Sequence, residues 1–371
     1  METPNNQQQL VVVLGMHRSG TSAITRGLQV MGVSLGNKLM PPAADNKKGF
    51  WEDLDVVAIN NEMLNFCGRC WHSIDPIQQI DVELLCDQGY LSRAIGLLQD
   101  KIVGHKRFAF KDPRTAKMLP FWIRVFATGN LDVRYILALR NPSSVAKSLA
   151  QRDQFSPEKS YLLWIDHMLT SLYQTNAQNI IVVAYDRLIR DSESELLRIA
   201  SWLTTDLDHS ELSEYRDEFI DEELCHSRFE LADVITDSAA PALAKEIYGF
   251  LVHVSTDRDE IENIIESGQL KKWVEECERL RPILRFLDKQ SLLIKNQCIR
   301  NFDLNQTLAE RDLQISNLNQ TLAKRDLQIS KLNQTLAERD LQISSLKESF
   351  AKKCLRHFGA LTWTKINKLH G

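Results

Sequence analysis

The clearest chemistry in this chain lies in eight residues near its amino end, Gly15-Met-His-Arg-Ser-Gly-Thr-Ser22. They follow the apolar run Leu10-Val-Val-Val-Leu14 and open a helical pattern, the place where backbone N–H groups and a helix dipole converge on an anion. The spacing Gly-x-x-x-x-Gly-x-Ser is that of a Walker A loop, but Thr21 stands where a nucleotide kinase or GTPase needs lysine. With Arg18 inside the loop instead, the site suits a phosphate whose γ-phosphoryl and Mg²⁺ need no handling. An ordinary glycine-rich turn is the plainer reading, and the unbroken order Arg18-Ser19-Gly20-Thr21-Ser22 speaks against it.

Such a loop needs a sheet to carry it. Short β-branched runs at Gln9–Gly15, Arg107–Lys111, Asp132–Arg140 and Asn179–Ala184 alternate with helical patterns at about 21–32, 53–66, 81–101, 115–127, 142–152, 157–176 and 192–203. The runs are almost continuously apolar, as strands covered on both faces must be. The expected fold class is therefore α/β, a three-layer parallel sheet of P-loop type with helices on both faces. Residues 206–300 are acidic and helix-forming, broken by Pro241 and Pro282, and read as helices packed on that core or leading out of it.

The 371 residues hold 45 Lys and Arg against 49 Asp and Glu, a formal net charge of −4. That offers no global basic field, so no nucleic acid is expected and any anion site must be local. The charge is uneven, with +4 on residues 301–371 and −8 on the rest. Leu10–Leu14 is far short of the roughly 20 residues that span a bilayer, and no export signal accompanies it. Seven cysteines, an odd number spread along the chain, point to reduced thiols in a cytoplasm. Cys67-x-x-Cys70 has zinc or redox spacing, but no second pair completes a metal site, so two core cysteines are expected.

Gly-Met-His-Arg-Ser-Gly-Thr-Ser resembles the 5′-phosphosulfate loop of the sulfotransferases that use 3′-phosphoadenosine 5′-phosphosulfate (PAPS), in which an Arg or Lys precedes Ser-Gly-Thr. Leu137-Ala-Leu-Arg140-Asn-Pro-Ser-Ser-Val-Ala-Lys-Ser148 resembles that family's 3′-phosphate motif. There an Arg at a strand end and a Ser eight residues later hold the phosphate. The chemistry agrees, because Arg presents a fork of donors to a dianion and Pro142 near the helix start leaves Ser148 in its early turns. Phe110-Lys111-Asp112-Pro113-Arg114 resembles the tyrosylprotein sulfotransferases and related bacterial enzymes, whose Lys helps to stabilise charge on the transferred group. Tyr185-Asp-Arg-Leu resembles the family's Tyr-Glu-x-Leu, with Asp186 in place of Glu. The resemblance covers about residues 10–205.

It implies sulfuryl transfer from PAPS, as co-substrate and without a metal, directly in line to a hydroxyl acceptor of which a glycan is one class. Arg18, Ser19, Gly20, Thr21, Ser22, Arg140 and Ser148 would bind the nucleotide. Arg18, Lys111 and Glu52 would be catalytic, with Glu52 as base because Asn46-Lys-Lys-Gly-Phe-Trp-Glu52-Asp53 resembles the Gly-aromatic-x-Glu segment of related bacterial enzymes. The alternative for Glu52 and Asp53 is that both merely favour the dipole of the following helix. His17 is the next candidate base; His72, His105 and His167 carry no supporting motif. Two other classes share these features: a P-loop nucleotide kinase or NTP-driven switch, and a non-catalytic coiled-coil scaffold.

Residues 304–345 are three near-copies of one 14-residue unit, differing only at Glu310/Lys324/Glu338 and Asn317/Lys331/Ser345. Two heptads fit each copy. With Leu308, Ile315, Leu322, Ile329, Leu336 and Ile343 at a, the d positions alternate between Leu304, Leu318, Leu332 and Leu346 and the arginines 311, 325 and 339. Leu313, Leu327 and Leu341 lie outside this seam. The expected organisation is a sulfotransferase-like domain over 1–230, a helical extension over 231–300, a homo-oligomeric coiled coil over 301–350 and a basic amphipathic tail over 351–371. From Lys347 to Gly371, Phe350, Leu355, Phe358, Leu361, Trp363 and Ile366 among basic residues suit peripheral contact with an anionic membrane; a solvated tail, a partner-packed helix or a polyanionic partner would serve equally well.

Overall fold

The computed structural model describes residues 8–43, 46–175, 178–220, 231–256, 261, 264 and 267–366, the side chains of 231 and 358–366 excepted. Contacts divide the chain into two compact units, Met1–Gln290 and Ser291–Gly371.

In the first unit the chain runs β1 (Gln9–Leu14), α1 (Thr21–Gln29), α2 (Leu54–Phe66), α3 (Gln79–Asp87), α4 (Tyr90–Ile102), β2 (Arg107–Lys111), α5 (Pro113–Lys117), α6 (Leu119–Thr128), β3 (Asp132–Leu139), α7 (Pro142–Asp153) and α8 (Pro157–Gln174). It continues through β4 (Ile180–Ala184), α9 (Tyr185–Arg190), α10 (Ser192–Leu203), α11 (His209–Glu214), a π turn (Tyr215–Phe219), α12 (Leu231–Thr236) and α13 (Ala242–Val254). The four strands form one parallel sheet in the order β2-β1-β3-β4, in the register Val12↔Phe110, Val12↔Tyr135 and Leu137↔Val182.

Alternation along the strands sorts their side chains into two cores. Leu10, Val12 and Leu14 meet Trp122 of α6, Trp164 of α8 and Ile247 of α13 on one face. Val11 and Val13 meet Ile24 and Leu28 of α1 and Ile199 of α10 on the other. Helices on both faces make the expected three-layer α/β fold. Because the chain leaves β1 toward β2 and then crosses to β3, the sheet changes direction between β1 and β3. A crevice opens outside the carboxyl ends of strands at such a point. The Gly15–Ser22 loop, Lys111, Arg140 and Tyr185 all stand at those ends.

Strands fall within a residue of their expected bounds, while two helical stretches divide. The 81–101 pattern breaks at Gly89, whose φ of +81 a side chain rarely adopts, into α3 and α4. The 115–127 pattern becomes α5 and α6, which meet at Met118, each with a proline in its first turn. The short α9, directly after β4, has no counterpart among the expected helices; six residues are too few for a period to show.

The last helix, α14 (Gln269–Ile366), begins in the first unit, where Leu270 and Trp273 join the core. Pro282 sits inside it without ending it. From Ser291 onward it makes up the described part of the second unit. There the apolar side chains from Leu292 to Leu355 that are described are largely exposed. The backbone stays helical past Gly359, but Phe358, Leu361, Trp363 and Ile366, on which the amphipathic reading of the tail rests, have side chains outside the described residues. Among the described residues no helix is long and apolar enough to cross a membrane.

One buried polar junction fixes the β2–α5 corner. The fully buried Asn60 of α2 donates from Nδ2 to Asp112 Oδ2 (2.8 Å) and Thr115 Oγ1 (3.1 Å), and its Oδ1 accepts from Trp122 Nε1 (2.8 Å). Asn60→Leu should leave the carboxylate oxygen and the indole N–H without these partners, at about 2–4 kcal/mol. A urea titration should show the midpoint fall while the far-UV spectrum keeps its shape.

Candidate active site

The loop after β1 is built on left-handed backbone. Gly20 has φ +83, and a Cβ placed there would lie 2.0 Å from the Tyr185 ring, so the position admits only glycine. Arg18 also has a positive φ, of +70, and Ser19 N–H closes the turn on Met16 C=O at 3.2 Å. Gly20 is the N-cap of α1 with no side-chain capping bond, so the helix N-terminus faces the crevice with its own donors. Ser19 Oγ is buried without a hydrogen-bond partner.

Beside this loop the structure gathers the second expected group. Arg18 Nε donates to Ser148 Oγ at 2.8 Å, which links the loop to α7. Arg140 Nη1 donates to the Arg18 carbonyl at 2.9 Å, its guanidinium lies 4.6 Å from the centre of the Tyr185 ring, and its Nε is buried without a hydrogen-bond partner. Asn141 caps α7 by accepting from Ser143 N and Ser144 N, which orients that helix toward the loop.

The third group converges on Glu52. Its Oε1 lies 3.0 Å from Lys111 Nζ and its Oε2 3.4 Å from Arg114 Nη1, and the carboxylate is buried. Lys111, the last residue of β2, is 1% exposed. Burial pulls its ammonium below the ordinary lysine value, and the Glu52 charge opposes that fall. For Arg114, Asp112 and Glu52 outweigh burial and hold the guanidinium above its ordinary value. The neighbouring acid has another task. Asp53 accepts from Asp55 N and Val56 N as the N-cap of α2 and pairs with Lys101 at 2.7 Å. The turn that separates the two roles passes through Trp51, at φ +57, whose indole N–H donates to Lys48 C=O at 2.9 Å. Ser22 joins the two halves: its Oγ donates to Phe50 C=O (2.9 Å) and accepts from Lys111 Nζ (3.4 Å).

Members of all three groups line one cavity of about 790 Å³, which Ser19 does not reach, with Arg18, Lys47, Lys48, Lys111, Arg114, Arg140 and Arg152 against the carboxylates of Glu52 and Asp153. It therefore attracts polyanions despite the negative chain. His17 lines it too, packed 4.3 Å from Trp71, with Nδ1 buried and unpartnered. Burial, reinforced by Arg114, holds its pKa well below 6.5, so the imidazole is neutral at neutral pH. Ser148 does not line the cavity directly and reaches it through Arg18.

Arg114, Arg152 and Trp71 were absent from the sequence-derived set. Arg114 had a signal, since it closes the same Phe110–Arg114 block as the strand-terminal Lys111 and stands in the first turn of α5. Arg152 and Trp71 had none, for their contact at 5.4 Å joins α7 to the loop after α2. Cys67 and Cys70 are free and half-buried; Cys67 packs against the core, and Cys70 Sγ lies 3.4 Å from His72 Nε2. Among the described residues no group of three His, Cys, Asp or Glu is placed to hold a metal.

A family model described as "Sulfotransferase family" matches residues 10–209, more than half of the chain. No curated protein matches. Similar solved structures include the sulfotransferase domain from the Synechococcus PCC 7002 olefin synthase, at 15% identity, 69% of this chain, 98% of that one and a TM-score of 0.39. The sulfotransferase domain from the curacin biosynthetic pathway matches at 16% identity, 57% and 79% coverage and a TM-score of 0.36. A Mycobacterium tuberculosis H37Rv sulfotransferase matches at 16%, 65% and 76% coverage and 0.36.

The buried imidazoles make stability depend on acid. His167, whose Nδ1–H donates to Leu163 C=O at 2.7 Å, is pushed down to about 4 by burial, and His17 is lowered in the same way. Unfolded histidines take up a proton below about 6.5 and these folded ones refuse it. Their stabilisation is complete above that pH and is lost as pH falls toward 4, by about 3 kcal/mol for His167. Urea midpoints should therefore drop between about pH 7 and pH 4.5, and His167→Gln should flatten that drop.

Proposed function

Because the chain belongs to the sulfotransferase family, we propose that it moves a sulfuryl group from PAPS to a hydroxyl acceptor, such as a glycan, by direct in-line transfer. The observation that carries this reading is that Arg18, Arg140 and the loop residues Gly20 to Ser22 line one cavity with the buried Glu52–Lys111–Arg114 cluster, at the sheet's change of direction. The residues present suit the donor: the uncapped start of α1 and the Arg140 guanidinium, whose Nε has no hydrogen-bond partner, line the cavity as donors for an anion.

PAPS supplies the sulfuryl group and leaves as 3′-phosphoadenosine 5′-phosphate. In this reading Arg18, Ser19, Gly20, Thr21 and Ser22 hold the 5′-phosphosulfate, and Arg140 with Ser148 hold the 3′-phosphate. Lys111 and Arg18 offset the charge that grows on the bridging oxygen as the sulfur–oxygen bond breaks. Glu52 takes the acceptor's proton. Its Oε2, the oxygen held more loosely at 3.4 Å, is the one open to that role. One observation favours a second base. The His17 imidazole is neutral, faces the same cavity and has a ring nitrogen without a partner.

Calorimetric titration should find 3′-phosphoadenosine 5′-phosphate bound far more tightly than ATP or 5′-AMP, without Mg²⁺. Arg140→Ala should remove about 1.5–3 kcal/mol of that preference. Equal affinity for ATP would return the kinase reading.

With PAPS and an acceptor, Glu52→Gln should keep nucleotide binding and lose about 10²–10⁴-fold in turnover. Full turnover in that variant, with the loss appearing in His17→Ala, would move the base to His17.

A further inference from the structure

From Ile294 to Phe350 every seventh residue is Leu, Ile or Phe, with the sole exception of Asn301. The α14 backbone is helical throughout this span, so the a column found in the three repeats extends beyond them in one phase. Its apolar members are 48% exposed at Ile343 and up to 71% at Phe350 among the described residues.

The period says what should. A straight helix drifts about 20° per heptad from a 3.5-residue repeat, so over the eight heptads from Ile294 to Phe350 the stripe would wind about 160° around it. A helix laid along its own domain, or along a flat surface, could not use such a stripe. Only a supercoiled helical partner keeps it in contact.

The d and e positions select that partner. Arg311, Arg325 and Arg339 at d are each followed by an aspartate at e, Asp312, Asp326 and Asp340. In a parallel pair the d side chain of one helix packs beside d and e of the other, so each arginine layer brings two arginines together with two aspartates. A partner must carry the same alternation every 14 residues, which a second copy does. The intervening heptads pair Ile at a with Leu at d, the combination that favours two strands in a parallel coil. A dimer also leaves the arginine heads a short path to water.

Asn301 resolves what the repeats leave open. Sliding one helix by 14 residues would still set arginine against arginine and Ile–Leu heptads against Ile–Leu heptads wherever the repeats overlap, two of the three layers of each kind. It would also set Asn301 opposite Ile315, burying an amide against hydrocarbon. In register, the two Asn301 amides meet and can hydrogen-bond each other. In an antiparallel pair an a residue faces d residues and that match is lost.

We infer that residues 294–350 form a parallel, in-register, two-stranded coiled coil with a second copy of this chain, its register set by Asn301. Sedimentation equilibrium of the full chain should give twice the monomer mass. Ile315→Lys combined with Ile329→Lys should raise the dimer dissociation constant at least 100-fold and leave the urea transition of the first unit unchanged. A photo-cross-linker, benzoylphenylalanine, placed at Gln297 should join dimers within residues 294–301 of the other copy. Asn301→Leu should add cross-links displaced by 14 residues. A monomer or trimer mass, cross-links to any other segment, or an unchanged cross-link map in Asn301→Leu would overturn the assignment.

Discussion

The ion pair between Lys111 and Glu52 sets the terms for the rest of the first unit. An ammonium at 1% exposure is costly to keep charged without a close counter-charge, so Glu52 has to be delivered to the end of β2 and held there. Several features serve that delivery. Trp51 accepts a left-handed backbone, and Asp53 anchors the following helix and Lys101. Met40 N–H donates to the Glu52 carbonyl at 2.8 Å, and Asn60 fixes Asp112 on the far side of the corner. A flexible surface loop carrying the same glutamate would lose the pair to water.

The cavity holds two kinds of positive charge. Lys111 and Arg114 share carboxylates, so their net field is modest and their positions are fixed before anything binds. Arg140 instead rests on a backbone carbonyl and an aromatic face, neither of which neutralises it. A dianion therefore gains most on the Arg140 side. The Glu52 side is fixed by its own ion pairs, which in the proposed reaction suits a step in which charge shifts by less than a full unit. In the function proposed above, that division suits a nucleotide bound by its phosphates with transfer at the Glu52 side.

Much of this was legible from residue order. Strand limits came out to within a residue because both faces of β1 to β4 are buried and their apolar runs are uninterrupted. Glu52, Lys111 and Arg140 could be named because their surrounding blocks resemble those of a family. What stayed hidden depends on backbone angles and on contacts across the chain. Nothing in Phe50-Trp51-Glu52-Asp53 declares that a tryptophan at φ +57 turns one acid to the cavity and the other to a helix cap. Arg152 meets Trp71 across 81 positions, beyond the reach of any local period. Gly89 was visible as a residue, but its conformation, which ends α3, was not.

The near-identical 14-residue copies give the second unit a graded length. Each copy is two complete heptads, so adding or deleting one leaves every flanking layer in phase, and the helix changes by about 21 Å at 1.5 Å per residue. A duplication that is not a whole number of heptads would rotate one half of the stripe away from the other. The chain can thus be lengthened or shortened in fixed increments by exchange between its own repeats, with the first unit untouched at every step. The helix is a ruler marked in units of one repeat.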